Sequence, residues 1–69
     1  MEEIIFLVEE SDEGGYIARA LGAAIVTESD TMAELKTMVK DAVHCHFDNK
    51  ELRPKMIRLH WVKDEVFAA

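Results

Sequence analysis

The run Ile4-Ile5-Phe6-Leu7-Val8 constrains this chain more than any other stretch. It is far too short to cross a bilayer and acids flank it, so residues 3–10 read as a β-strand and no membrane role is expected. Side chains alternate along a strand, which puts Ile4, Phe6 and Val8 on one face and Ile5 and Leu7 on the other. Both faces are apolar, so both need cover. Within 69 residues only one segment has the length and period of a long helix, and it can cover one face. The chain makes a single domain over residues 1–69, of a size at which a lone core is marginal. With 49% hydrophobic residues it holds more apolar surface than a small monomer easily hides. A homodimer or larger symmetric assembly is therefore expected, built through Ile5, Leu7, Trp61, Val66 and Phe67.

Residues 14–35 set the order of elements. Gly14-Gly15 supplies the positive φ of a tight turn, Tyr16 to Leu21 alternates as a second strand, and Gly22 offers a break before a third strand over Ala23 to Glu28. Tyr16, Ala18 and Ala20 share a face whose small side chains admit a close helix. Arg19, the one base in the first half, is expected to pair with an acid across the strands. Thr31-Met32-Ala33-Glu34 is a capping box, in which the Thr31 hydroxyl accepts from the Glu34 amide and the Glu34 carboxylate accepts from the Thr31 amide. A helix is predicted from Thr31 to Phe47. Its buried stripe is expected to run Leu35, Val39, Ala42, His46, with Met32, Met38 and Val43 at the edges. Asp48 to Lys55 is a polar loop. Met56 to Val62 then alternates, with Ile57, Leu59 and Trp61 inward and Arg58 and His60 outward. Lys63-Asp64-Glu65 breaks this pattern before Val66-Phe67, which either adds a strand or packs across a subunit boundary. The sum is an α+β chain, a β-β-β-α-β two-layer sandwich of antiparallel hairpins with one helix on the sheet.

Charge is unevenly placed. Residues 1–34 hold nine acids and one base, and residues 35–69 hold five acids and seven bases, for a net −6. The first half repels a phosphate backbone and attracts a basic protein. Glu9, Glu10, Asp12 and Glu13 crowd the first turn, either as a solvated tip or as a docking patch for a basic partner. Lys50, Arg53, Lys55 and Arg58 form a modest basic patch later in the chain. His44-Cys45-His46 is no metal motif, because helical residues one and two apart diverge. His46 is read instead as half-buried with a bonded ring nitrogen, and Cys45 as a packing residue. No nucleophile, base and orienting acid fall at a recognisable spacing, so neither catalysis nor a cofactor or metal is expected. One cysteine without a signal peptide fits the reducing cytoplasm.

Gly14-Gly15-Tyr16-Ile17-Ala18, followed by Val26-Thr27-Glu28-Ser29-Asp30-Thr31-Met32-Ala33-Glu34-Leu35, resembles the signature of HicB-like antitoxins, and the stand-alone UPF0150-type proteins among them. In that family a GGY(V/I)A strand precedes a T-x-G-D-T-x-x-E helix entry, so that Gly14, Gly15, Tyr16, Thr27, Asp30, Thr31 and Glu34 fall on signature positions. The likeness covers roughly residues 3–47. Ser29 replaces the common glycine, and Arg19-Ala20-Leu21-Gly22 replaces the usual Pro-x-Leu-Pro-Gly turn. The resemblance implies the opening topology of the ribonuclease H fold, but the strand centres Phe6, Ala18, Ile25 and Leu59 lack the carboxylates of its nucleases. It also implies a non-catalytic protein that binds and neutralises a small basic, RNA-cleaving HicA-like toxin. Family members that repress their operon carry a DNA-binding segment after this domain; none is visible here, so no direct DNA binding is expected. The alternative is a self-associating structural or regulatory domain of the same fold without a toxin.

Overall fold

The structure is a computed structural model and describes residues 2–69. Its elements are β1 (Glu3–Glu10), β2 (Tyr16–Ala20), β3 (Val26–Ser29), α1 (Met32–His46) and β4 (Met56–Trp61). They form one four-stranded sheet in the order β3-β2-β1-β4 with the helix on one face. β1 pairs antiparallel with β2 and parallel with β4, and β2 pairs antiparallel with β3. The expected strand, strand, strand, helix, strand order and the two-layer α+β arrangement are what the chain adopts.

The alternation of β1 decides which face meets the helix. Ile4, Phe6 and Val8 are buried with Ala18, Ile25, Leu35, Val39 and Val43, while Ile5 and Leu7 lie half-buried on the opposite face. Ala18 sits beside Val8 in register and is itself fully buried, so the small side chain expected to admit the helix does so. The helix lies closest along β3 and β2. That placement leaves β4 at the margin, with Ile57 and Leu59 only partly covered and Trp61 44% exposed.

The helix begins as predicted. Thr31 is its N-cap in an extended conformation, and its hydroxyl accepts from the Glu34 amide at 3.1 Å, a cap that contributes about 1 kcal/mol. The reciprocal half of the box is not formed among the described residues; the Ser29 hydroxyl donates instead to the Thr31 carbonyl at 2.8 Å. Three expectations along the helix and strands need correction. The buried stripe is Leu35, Val39 and Val43, at successive spacings of four, so Ala42 is half-buried and His46 is exposed. Phe47, the C-cap, packs on the core where His46 was expected, and the His46 ring meets Phe47 edge-on at 4.8 Å. Cys45 is exposed rather than packed. The third strand starts at Val26, not Ala23, because the Ile25 amide donates to the Ala23 carbonyl at 3.0 Å and curls that segment.

The turn between β1 and β2 uses its glycines unequally. Both have positive φ, 91° at Gly14 and 83° at Gly15. A Cβ at Gly14 would meet open space, whereas one at Gly15 would lie 2.6 Å from the Ser29 carbonyl oxygen. Gly15 is thus fixed twice, by its backbone and by the neighbouring β3. We predict that Gly14→Ala costs only the left-handed penalty of about 1–2 kcal/mol. Gly15→Ala should cost clearly more, since β3 must also shift. Equal urea midpoints for the two variants would show that the close approach of β3 does not limit position 15.

Candidate functional site

The β1–β2 turn is closed by two backbone bonds, from the Gly14 amide to the Ser11 carbonyl and from the Ser11 amide to the Gly15 carbonyl, each 3.0 Å. This geometry divides the four acids singled out in the sequence. Glu13 turns into a cleft of about 420 Å³ whose other acidic walls are Glu28, Asp30 and Glu34. Glu9, Glu10 and Asp12 line a second cleft of about 240 Å³ with Lys63 and Asp64. Ser11 lines both, so the two clefts flank the base of the hairpin. The larger one is lined by four carboxylates and no base, with Tyr16 and Met38 as its apolar parts.

Two of these carboxylates, Asp30 and Glu34, sit at signature positions whose role was read as helix entry. Glu28 was not read as a site residue at all. Its place follows from register: Ile17 pairs with Glu28 and Tyr16 with Ser29, which brings the end of β3 beside the β1–β2 turn. Sequence spacing alone does not show that pairing. Thr27, also in the signature, faces the helix side and its Oγ1 is buried without a hydrogen-bond partner.

The cations are more dispersed than a patch. Arg58 reaches across to Glu3 with Nε to Oε1 at 2.8 Å and Nη2 to Oε2 at 3.2 Å, a two-pronged pair on the outer face. Arg53 Nε donates to the Phe47 carbonyl at 3.1 Å and closes the end of the helix, and Lys55 lies 3.9 Å from Glu2. Of the expected basic patch, only Lys50 lacks such an engagement among the described residues. Arg19 makes no ion pair there either, contrary to expectation, because its partners in register are Leu7 and Val26 rather than acids.

The five residues expected to mediate self-association are not one patch. Ile5 and Leu7 lie on the outer face. Trp61 lies on the helix face, its ring edge-on to Tyr16 at 5.3 Å. Val66 and Phe67 are 94% and 85% exposed, beyond the last strand. Among the described residues no three His, Cys, Asp or Glu side chains come together as a metal ion would need. Among the described residues no helix is long and apolar enough to cross a membrane.

Two relatives bear on lineage. A UPF0150 protein of Archaeoglobus fulgidus is 57% identical over 56 residues, covering 81% of this chain and 82% of the relative. The chain belongs to the UPF0150 family. A second UPF0150 protein, from Thermotoga maritima, is 46% identical over 67 residues, or 97% of this chain and 93% of that protein. No family model matches this UPF0150 chain, and no solved structure matches it.

The Glu3–Arg58 pair gives a pH test. The hydrogen bond from Arg58, reinforced by its charge, holds the Glu3 carboxyl below the usual carboxylate range. A depressed folded-state pKa means that the pair's contribution is fully present above the ordinary value and is lost as pH falls through the folded one. Glu3→Gln should therefore lower the melting temperature at neutral pH, and its gap from wild type should close on acidification. A gap that persists unchanged into acid would mean that the carboxylate charge is not what the pair contributes.

Proposed function

We propose that this UPF0150 chain is an antitoxin-type, HicB-like module that binds and neutralises a small basic toxin of the HicA-like, RNA-cleaving class. The observation that carries the reading is the pair of acid-lined clefts at the hairpin end. Glu13, Glu28, Asp30 and Glu34 line one cleft without a base, and Glu9, Glu10 and Asp12 line a second with Lys63 and Asp64. Carboxylates arranged this way attract lysine and arginine side chains, accept their hydrogen bonds and steer a basic protein to the site. The same field repels DNA and RNA phosphates, so the surface suits a protein that occupies a toxin's nucleic-acid-binding face. The family resemblance supplies the toxin class; the acidic clefts supply a separate physical reason for a basic partner. The role is binding rather than catalysis, with the cytoplasm as its place of action, where a lone exposed cysteine stays reduced.

A second reading, a self-associating domain without a toxin, is favoured by one observation, the exposure of Val66 and Phe67. The two readings separate experimentally. Affinity capture of the tagged protein from its host should recover a small basic protein. Titration calorimetry with that protein at low and high salt should then show affinity falling at least about tenfold with ionic strength. Glu13→Lys with Glu28→Lys should weaken binding further, as should Glu9→Lys with Glu10→Lys. An affinity indifferent to both salt and these reversals would remove the acidic clefts from the interface.

A further inference from the structure

A groove of about 330 Å³ runs between the helix and β4, with Ile57 and Leu59 as its floor, Val39 as its wall and Lys36 and Lys40 on its rim. It exists because the helix lies over β3 and β2, so the inward side chains of β4 are only half covered. β4 is also an edge strand, with no neighbour on its far side, which leaves a row of backbone groups open along the groove. The molecule carries one segment with the complementary character. After Val62 the chain leaves the sheet, and residues 63–69 are exposed and form no secondary structure. That segment reads Lys63-Asp64-Glu65-Val66-Phe67-Ala68-Ala69, in which two acids precede two large apolar residues.

We propose that Asp64–Phe67 of one copy docks in the helix–β4 groove of a second copy, reciprocally, so that two copies exchange arms about a two-fold axis. Val66 and Phe67 cover Ile57, Leu59 and Val39, and Asp64 and Glu65 meet Lys36 and Lys40. Apolar meets apolar and acid meets base at both ends of the contact. The arm is placed to serve a neighbour rather than its own groove. Val62 is still tied to β1, its amide donating to the Val8 carbonyl at 2.8 Å. The radius of gyration is 13.4 Å, against about 11 Å for a packed chain of this length, as an arm that leaves the body requires. Self-pairing of one groove and one arm per copy closes the assembly at two.

The full chain, at tens of micromolar, should sediment as a dimer, and Phe67→Asp should weaken self-association at least about tenfold. Lys36→Glu with Lys40→Glu should weaken it about fivefold, Asp64→Lys with Glu65→Lys should do the same, and the four changes together should restore it. All of these positions are exposed, so the variants keep the core. In a Cys45→Ser background, Lys36→Cys with Glu65→Cys should oxidise to a covalent dimer. A monomeric wild type, a dimer indifferent to Phe67→Asp, charge reversals without mutual rescue, or a disulfide closed within one chain would each overturn the arm exchange.

Discussion

The whole arrangement depends on Phe6 and Val8 meeting Leu35, Val39 and Val43. These five are the largest fully buried side chains among the described residues, and they join β1 to the helix. Each such burial contributes on the order of 1.5–3 kcal/mol, so losing one removes a large part of what a domain this size can hold in reserve. The contact also sets everything around it. With the helix anchored over β1, β2 and β3, the end of β3 lies against the first turn and β4 is left at the margin. The acidic clefts and the half-covered groove both descend from where one helix can lie on four strands.

Much of this was legible in the residues. Alternation in Ile4 to Val8 gave the correct buried face, Gly14-Gly15 the turn, Thr31 the N-cap, and Ile57, Leu59 and Trp61 the inward side of β4. Local rules decide each of these, because side-chain period, positive φ and capping need only near neighbours in sequence. What failed was set by packing. A helix wheel admits both Ala42 with His46 and Val43 with Phe47 as the last buried turn, and only the sheet beneath selects the second. Arg19 was expected to find an acid, but register faces it with Leu7 and Val26.

The candidate site was half legible for the same reason. Glu9, Glu10, Asp12 and Glu13 announce an acidic turn by composition, whereas Glu28 joins them only through the pairing of β2 with β3. Arg53, Lys55 and Arg58 look like a patch when counted, yet each is committed to a local partner, Phe47, Glu2 and Glu3 respectively. The larger cleft at the hairpin end is lined by acids and no base. The two surfaces meet at Asp64, which lines the second acidic cleft and begins the proposed arm, so a basic partner there and a second copy at the helix–β4 groove would be coupled through that residue.

One helix leaves the sheet incompletely covered, and in the proposed arm exchange apolar surface from a second copy completes it. Amide hydrogen exchange at low and high protein concentration tests this most directly. The β1 and β2 amides should be protected at every concentration, residues 64–67 should exchange like a free peptide when dilute, and those residues and β4 should gain protection as concentration rises. Residues 64–67 that stay unprotected throughout, or that are already protected at the lowest concentration, would contradict it.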